Sequence, residues 1–114
     1  MKHLCVACAL LASIINTADA RGRLICGFVM RQLTGGRYGP EYNLARHWAH
    51  LPRTAAHPGA VVVQSRKGKD TAGHPGGHVS IIREVRGDCR ALVSDDKGTY
   101  VRDICRNLIG YVQP

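Results

Sequence analysis

The sequence is short of acidic residues. Its 114 residues include 8 Asp and Glu against 16 Lys and Arg, which gives a formal net charge of +8 at neutral pH. Such a surplus of positive charge favours anionic partners, for example cell-wall polymers, lipopolysaccharide or nucleic acid. The basic residues are scattered, and Arg66-Lys67-Gly68-Lys69 is their one cluster. Solvation of the surface accounts for most charge of this kind, so we do not expect nucleic acid to be the partner.

The chain also lacks an apolar run of the length that spans a membrane. Residues 4–15 are apolar and uncharged, but a spanning helix needs roughly 18 or more such residues. The run follows the positive start Met1-Lys2-His3 and precedes Ala18-Asp19-Ala20, a small-x-small pattern. These features predict a secretory signal peptide over residues 1–20 and a secreted or periplasmic protein. Residues 21–114 are then expected to form one small domain.

The number of cysteines in that domain is odd. Cys5 and Cys8 fall within the predicted signal peptide, which leaves Cys26, Cys89 and Cys105. In an oxidising compartment two of the three are expected to pair, and the third stays a free thiol or bridges to another molecule. The function depends on which cysteine is left over.

Helical signals come first along the chain, and strand signals follow. A helix is predicted over residues 26–33, ended by Thr34-Gly35-Gly36, and a second helix over residues 40–51. The buried stripe of the second helix is expected to consist of Leu44, Trp48 and Leu51. Strands are predicted at residues 60–63, 78–85, 89–95, 99–105 and near 108–112, with a long loop over 65–77. This order predicts an α+β fold in which N-terminal helices pack on a small antiparallel sheet.

The first strand pair after that loop can be aligned from its side chains. A three-residue turn over residues 86–88 pairs Glu84 with Arg90, whereas a shift by one residue sets two arginines against each other. The preferred register places His78 directly opposite Asp96.

The next hairpin can be aligned in the same way. A loop over residues 96–98 puts Gly98 at the left-handed position and sets Cys89 opposite Cys105. Cysteines that face each other on neighbouring strands are near disulfide distance, and closing a loop of about 15 residues contributes roughly 3 kcal/mol. We therefore predict the disulfide Cys89–Cys105, with Cys26 as the free thiol.

The free thiol, the histidine and an aspartate form a candidate catalytic group. Cys26 is at the predicted start of a helix, where the dipole lowers a thiol pKa and its N–H can donate to an oxyanion. A thiolate beside the His78 ring, oriented by Asp96, is an activated nucleophile; Asp95 would serve if the register slipped. The ordinary alternatives are a disulfide-bonded cysteine, a strand-end histidine and an aspartate that belongs to the turn.

The other histidines do not form a metal-ligand pattern. His47 and His50 could share a helix face, but no cysteine or carboxylate accompanies them at ligand spacing. We expect no metal and no cofactor.

Several short motifs together resemble a known family. They are Cys26-Gly27-Phe28, Pro58-Gly59-Ala60-Val61-Val62-Val63, Gly77-His78-Val79-Ser80-Ile81 and Ile109-Gly110-Tyr111-Val112. In this order, over nearly all of residues 22–112, the chain resembles the CHAP and NlpC-type branch of papain-like cysteine peptidases. The resemblance implies a papain-like domain over residues 21–114 that cleaves amide bonds in peptidoglycan peptides. It also implies that Cys26 is the nucleophile, His78 the general base and later acid, and Asp96 the orienting residue.

Three classes of function remain open at this point. The first is a thiol amidase or peptidase that acts on cell-wall peptide, and it predicts one reactive thiol, Cys26, with an acid-shifted pH dependence. The second is a non-catalytic exported module that binds, or has a structural role, through its basic surface. The third is a cationic antimicrobial or nucleic-acid-associated protein, whose binding would fall steeply with salt.

Overall fold

A computed structural model describes residues 25–69 and 75–114 of the protein, so the predicted signal peptide lies outside the described residues. Helix α1 is Ile25–Leu33, and two 3₁₀ helices follow at Pro40–Asn43 and Ala45–His50. The strands are β1 Val61–Lys69, β2 Pro75–Val85, β3 Arg90–Asp95, β4 Gly98–Asp103 and β5 Leu108–Val112. They form one antiparallel sheet in the order β4-β3-β2-β1-β5. The predicted α+β class, with helices first and an antiparallel sheet after them, is confirmed at this level.

Helix α1 ends where the sequence predicts. Gly35 and Gly36 have φ values of +90° and +74°, which side chains with a Cβ rarely adopt. The Gly36 N–H donates to the Arg31 carbonyl at 2.8 Å and so satisfies one of the last carbonyls of the helix. The buried face of the helix carries Cys26 and Met30. The first turn, with its cysteine, is therefore packed against the rest of the domain.

The predicted helix over residues 40–51 is wrong in type. Two 3₁₀ helices occupy this range, separated by Leu44 in an extended conformation with ψ of 119°. A short helix has little stability of its own, so tertiary contacts decide its conformation. Here the fully buried Trp48 donates its indole N–H to the Tyr42 carbonyl at 2.7 Å. Trp48 is a core residue, as predicted, but Leu44 and Leu51 are only partly buried.

The predicted long loop over residues 65–77 is also wrong for much of its length. β1 continues to Lys69 and β2 begins at Pro75, with Ser65 paired to Gly77 and an irregularity beyond that pair. Backbone pairing between neighbouring strands here overrides the glycine-rich and basic composition. The extension places Gln64 directly opposite His78.

The register between β2 and β3 differs from the prediction, by one residue at Ile81 and by two at Glu84, which pairs with Leu92 rather than with Arg90. Ile81 pairs with Ser94 rather than with Val93, and a bulge lies between Ile82 and Glu84. Because side chains alternate along a strand, a shift by one residue exchanges the faces of the partner strand. Continued toward the turn, this register puts Asp95, and not Asp96, on the face that His78 occupies.

The register between β3 and β4 is shifted by one residue as well. Asp95 already pairs with Gly98, which has the expected left-handed conformation with φ of +100°. Cys89 and Cys105 lie just beyond the paired strands, with their Cα atoms 5.1 Å apart, and form the predicted disulfide. Among the described residues Cys26 is the free cysteine, and it is buried.

Both faces of the sheet are buried at β1. Val61 and Val63 belong to the core formed with α1 and the 3₁₀ helices, which also contains Met30 and Trp48. Val62 points to a second core, made of Ala60, Val62, Ile82, Ala91, Val93 and Ile104. Two-sided burial explains the unbroken run of valines, since a half-buried strand would alternate with polar residues. Within residues 25–69 and 75–114, no helix is long and apolar enough to cross a membrane.

Candidate functional site

Cys26 lies in the first turn of α1 and is only 4% exposed. The residue after it has to be glycine, because a Cβ at Gly27 would overlap the backbone carbonyls of Tyr42 and Asn43. This close approach holds the start of the helix against the 3₁₀ segment. The thiol is thereby placed at the edge of the first core, next to β2.

His78 lies on β2 and is fully buried, with both ring nitrogens in contact with charged side chains. Arg66 Nη2 donates to Nδ1 at 3.0 Å, and Nε2 lies 2.7 Å from Asp95 Oδ2. A guanidinium only donates hydrogen bonds, so Nδ1 accepts and Nε2 carries the proton that is donated to Asp95. The ring is therefore oriented by a carboxylate on one side, and on the other its basic nitrogen is occupied by Arg66.

Asp95 is the centre of a hydrogen-bond network at the β3–β4 turn. The Tyr100 hydroxyl donates to Oδ2 at 2.7 Å, and the Lys97 backbone N–H donates to Oδ1 at 2.9 Å. Burial by itself would raise the pKa of Asp95, but the hydrogen bonds from His78, Tyr100 and Lys97 outweigh it and lower the pKa below its ordinary value. Asp95 is thus held as an anion that fixes the imidazole.

Asp96 is close to the thiol and does not hold the ring. Ligand atoms of Cys26, His78 and Asp96 all lie within 4.8 Å of one another. Asp96 Oδ1 is buried and has no hydrogen-bond partner among the described residues. The structure thus brings the three predicted residues together, while the contact assigned to Asp96 in the sequence is made by its neighbour Asp95.

The environment of the thiol differs from the expected acid-shifted one. Burial raises the pKa of the Cys26 thiol, and the negative charge of Asp96 raises it further. Arg66 and the backbone N–H of Cys26 act in the opposite direction but do not compensate. The helix N-terminus therefore does not dominate, and in this conformation the cysteine is a thiol at neutral pH.

The two glycines before His78 make room for neighbouring segments, Gly76 for Arg66 on β1 and Gly77 for the 3₁₀ helix Ala45–His50. A Cβ on Gly77 would lie 2.9 Å from Arg46 Cγ and 3.3 Å from Ala45 Cβ. Arg46 also donates from Nε to the Gly76 carbonyl at 2.8 Å. These contacts fix the position of the first residues of β2 and therefore the position of His78 along the strand.

Sequence reasoning missed Arg66 and Tyr100. Both contact the His78–Asp95 pair directly, Arg66 from β1 and Tyr100 from β4. Tyr100 lies on β4, in the hairpin that follows Asp95. A predicted β3–β4 register shifted by one residue would have placed Tyr100 on the same face as Asp95. The sequence analysis assigned Arg66 to a loop, so no sequence pattern predicted that its side chain would contact the His78 ring.

The cysteine, histidine and aspartate are also the residue types that bind metals such as zinc. Among the described residues, Cys26, His78 and Asp96 are the group close enough to share an ion. The guanidinium of Arg66 on His78 Nδ1 opposes a cation at that nitrogen. The same contact occupies the nitrogen that would accept a proton from the thiol. Comparisons of the chain with protein-family models, with curated proteins and with solved structures find no match.

Proposed function

We propose that this protein is an exported thiol amidase or peptidase of the papain-like type that cleaves amide bonds in peptidoglycan peptides. The observation that carries the proposal is the grouping of Cys26 with His78, whose far nitrogen is bonded to Asp95. A thiol, an imidazole and an orienting carboxylate are the three parts of an activated cysteine nucleophile. In this proposal Asp95 takes the orienting role, and Asp96 remains the residue that controls the charge near the thiol.

The reaction follows from the hydrogen-bond roles in the site. Cys26 Sγ gives its proton to His78 Nδ1 and attacks the carbonyl carbon of the scissile amide. The C–N bond then breaks, the departing amine takes the proton from His78, and an acyl thioester forms on Cys26. Water, deprotonated by His78, hydrolyses the thioester and restores the thiol. Asp95 stabilises the imidazolium that forms in each half of the reaction.

Arg66 has to move before that proton transfer. Its Nη2 donates to His78 Nδ1 at 3.0 Å, and this is the nitrogen that receives the thiol proton. Once the guanidinium has left, the thiolate that forms is paired with an imidazolium. This ion pair compensates for the burial that keeps the free site protonated.

The cell-wall substrate is supported by charge and by the disulfide. A net charge of +8 favours an anionic wall matrix. The Cys89–Cys105 disulfide is typical of exported proteins, because the cytosol keeps thiols reduced. Both features agree with a protein that works outside the cytoplasm.

The proposal can be tested by incubating the exported protein with purified peptidoglycan and identifying new amino groups and peptide fragments by mass spectrometry. Cys26→Ser and His78→Ala are expected to release no fragments. His50→Ala is the matched control, since His50 is an exposed histidine whose side chain contacts the carbonyl and the ring of His47, away from the site. Fragments that persist in Cys26→Ser, or no amide cleavage by the wild type on any wall peptide, would contradict the proposal.

A non-catalytic wall-binding module is the second candidate, and the burial of Cys26 favours it. A thiol that is 4% exposed and has a raised pKa resembles a core cysteine. This candidate predicts that the protein sediments with peptidoglycan, that Cys26→Ser binds as well as the wild type, and that no fragments appear. Native iodoacetamide treatment separates the two candidates, because a core cysteine stays unlabelled at pH 8 whatever wall peptide is added.

A further inference from the structure

A groove lies between the end of β1, strand β4 and the segment before β5, and Arg66 is part of its lining. Its volume is about 430 Å³, within the range of small-molecule sites. Four cationic side chains line it: Arg66, Lys67, Arg102 and Arg106. The acidic residue in the lining is Asp103. The groove therefore concentrates positive charge beside the catalytic histidine.

One of these cations is held in place by buried polar groups. Gln64 is 3% exposed and accepts from Arg102 Nε at 2.7 Å, while its own amide donates to the carbonyls of Asp103 and Arg106. Arg102 Nη1 also donates to the Tyr100 hydroxyl at 2.8 Å. Two nitrogens of this guanidinium are thus used to fix its plane, and Nη2 has no hydrogen-bond partner among residues 25–69 and 75–114. A fixed guanidinium loses less entropy when it binds an anion than a flexible one does.

The positive charges of the groove are not neutralised from within. Asp103 Oδ1 accepts the backbone N–H groups of Cys105 and Arg106, at 3.0 and 3.2 Å. Within residues 25–69 and 75–114, no carboxylate forms an ion pair with any of the four cations. Like charges that line one concave surface raise the local potential and attract a counter-ion.

We propose that this groove is a binding site for an oxyanion, a phosphate or carboxylate group, with Arg102 and Arg106 as its main ligands. Planar guanidinium groups bind such oxygens in pairs of charge-assisted hydrogen bonds. An anion in the groove also attracts Arg66, which now donates to His78 Nδ1. The proposal of an oxyanion site depends only on the residues that line the groove. That the oxyanion is part of the substrate, and that it draws Arg66 off the ring, rests on the proposed function.

Calorimetric titration tests the site directly, with inorganic phosphate in one arm and glutarate in the other, at constant ionic strength. The Cys26→Ser protein is used, so that binding is measured without chemistry. Saturable binding is expected in at least one arm. The anion that binds more tightly shows whether the groove prefers a phosphate or a carboxylate group. Arg106→Ala is expected to weaken Kd about tenfold, the loss of about 1.4 kcal/mol from one charge-assisted contact.

Arg90→Ala is the matched control, because Arg90 is an exposed arginine outside the groove and its loss changes the net charge by the same amount. It is expected to change Kd by less than about twofold. Equal weakening by both variants, or no saturation in either arm, would overturn the site. If the anion binds but the wild type cleaves no wall peptide, the proposed function fails and the site stands. If the wild type cleaves wall peptide but neither anion binds, the oxyanion site fails and the proposed function stands.

Discussion

Asp96→Asn is expected to make Cys26 more reactive. The carboxylate and the thiol sulfur are no more than 4.8 Å apart, and the Asp96 charge raises the pKa of Cys26. At that distance Coulomb's law gives about 0.9 kcal/mol in water and about 3.5 kcal/mol at an effective dielectric constant of ~20. Removing the charge is therefore expected to lower the pKa of Cys26.

Partial exposure of Asp96 favours the lower part of this energy range, about 1.4 kcal/mol, which is tenfold in an equilibrium. The thiolate fraction at pH 7 then rises about tenfold. Because a less basic thiolate is also a weaker nucleophile, the alkylation rate rises about threefold. The assay is the rate of iodoacetamide modification of the native protein between pH 6 and pH 10, which yields the pKa as the midpoint of the profile.

Two variants complete this experiment. Arg66→Ala is expected to move the midpoint upward, because Arg66 lowers the pKa of Cys26. Asp88→Asn removes an exposed carboxylate in the β2–β3 turn and should leave the midpoint where it is in the wild type. A midpoint that stays the same or rises in Asp96→Asn would refute the reasoning, since the charge of Asp96 would then not act on the thiol.

The remaining predictions concern the orienting acid, the disulfide and the helix start. Asp95→Asn should lower wall-peptide cleavage by at least about a hundredfold. Because folding lowers the pKa of Asp95, its contribution to the free energy of unfolding should be constant above about pH 5 and disappear as the pH falls below about 4, by denaturant titration. Replacing Cys89 and Cys105 by alanine should cost about 3 kcal/mol by the same method, and an unchanged midpoint would refute a stabilising bridge. Gly27→Ala should destabilise the fold by more than about 2 kcal/mol, whereas Gly87→Ala, with open space around it, should be nearly neutral.

The disulfide shows how a local pattern can give a correct result from an inexact alignment. The sequence analysis placed Cys89 opposite Cys105. The two cysteines do form a disulfide, although the β3–β4 register is shifted by one residue from the predicted one. A disulfide tolerates a range of Cα separations, so an error of one residue at the strand ends does not break it. The pairing needed only the approximate position of the turn.

An error of one residue in the register near His78 changed which aspartate contacts its ring. The predicted register put Asp96 across from His78, but the bulge between Ile82 and Glu84 shifts the partner strand. Asp95 therefore reaches the ring and Asp96 faces the thiol. Side chains alternate with a period of two, so a single inserted residue exchanges the roles of two adjacent aspartates. The sequence offers two adjacent aspartates, and the predicted register favoured Asp96.

What the sequence determined by itself was local: the end of α1 at two glycines, the valine strand, the hairpins and the residue types of a cysteine–histidine–acid site. Each depends on neighbouring residues, through backbone conformation and hydrophobic periodicity. Only the tertiary structure decided which aspartate holds His78, that Arg66 occupies the basic nitrogen of the ring, and that burial keeps Cys26 protonated. These outcomes depend on distances between distant segments and on exclusion of water, and neither is encoded in any short stretch of the chain.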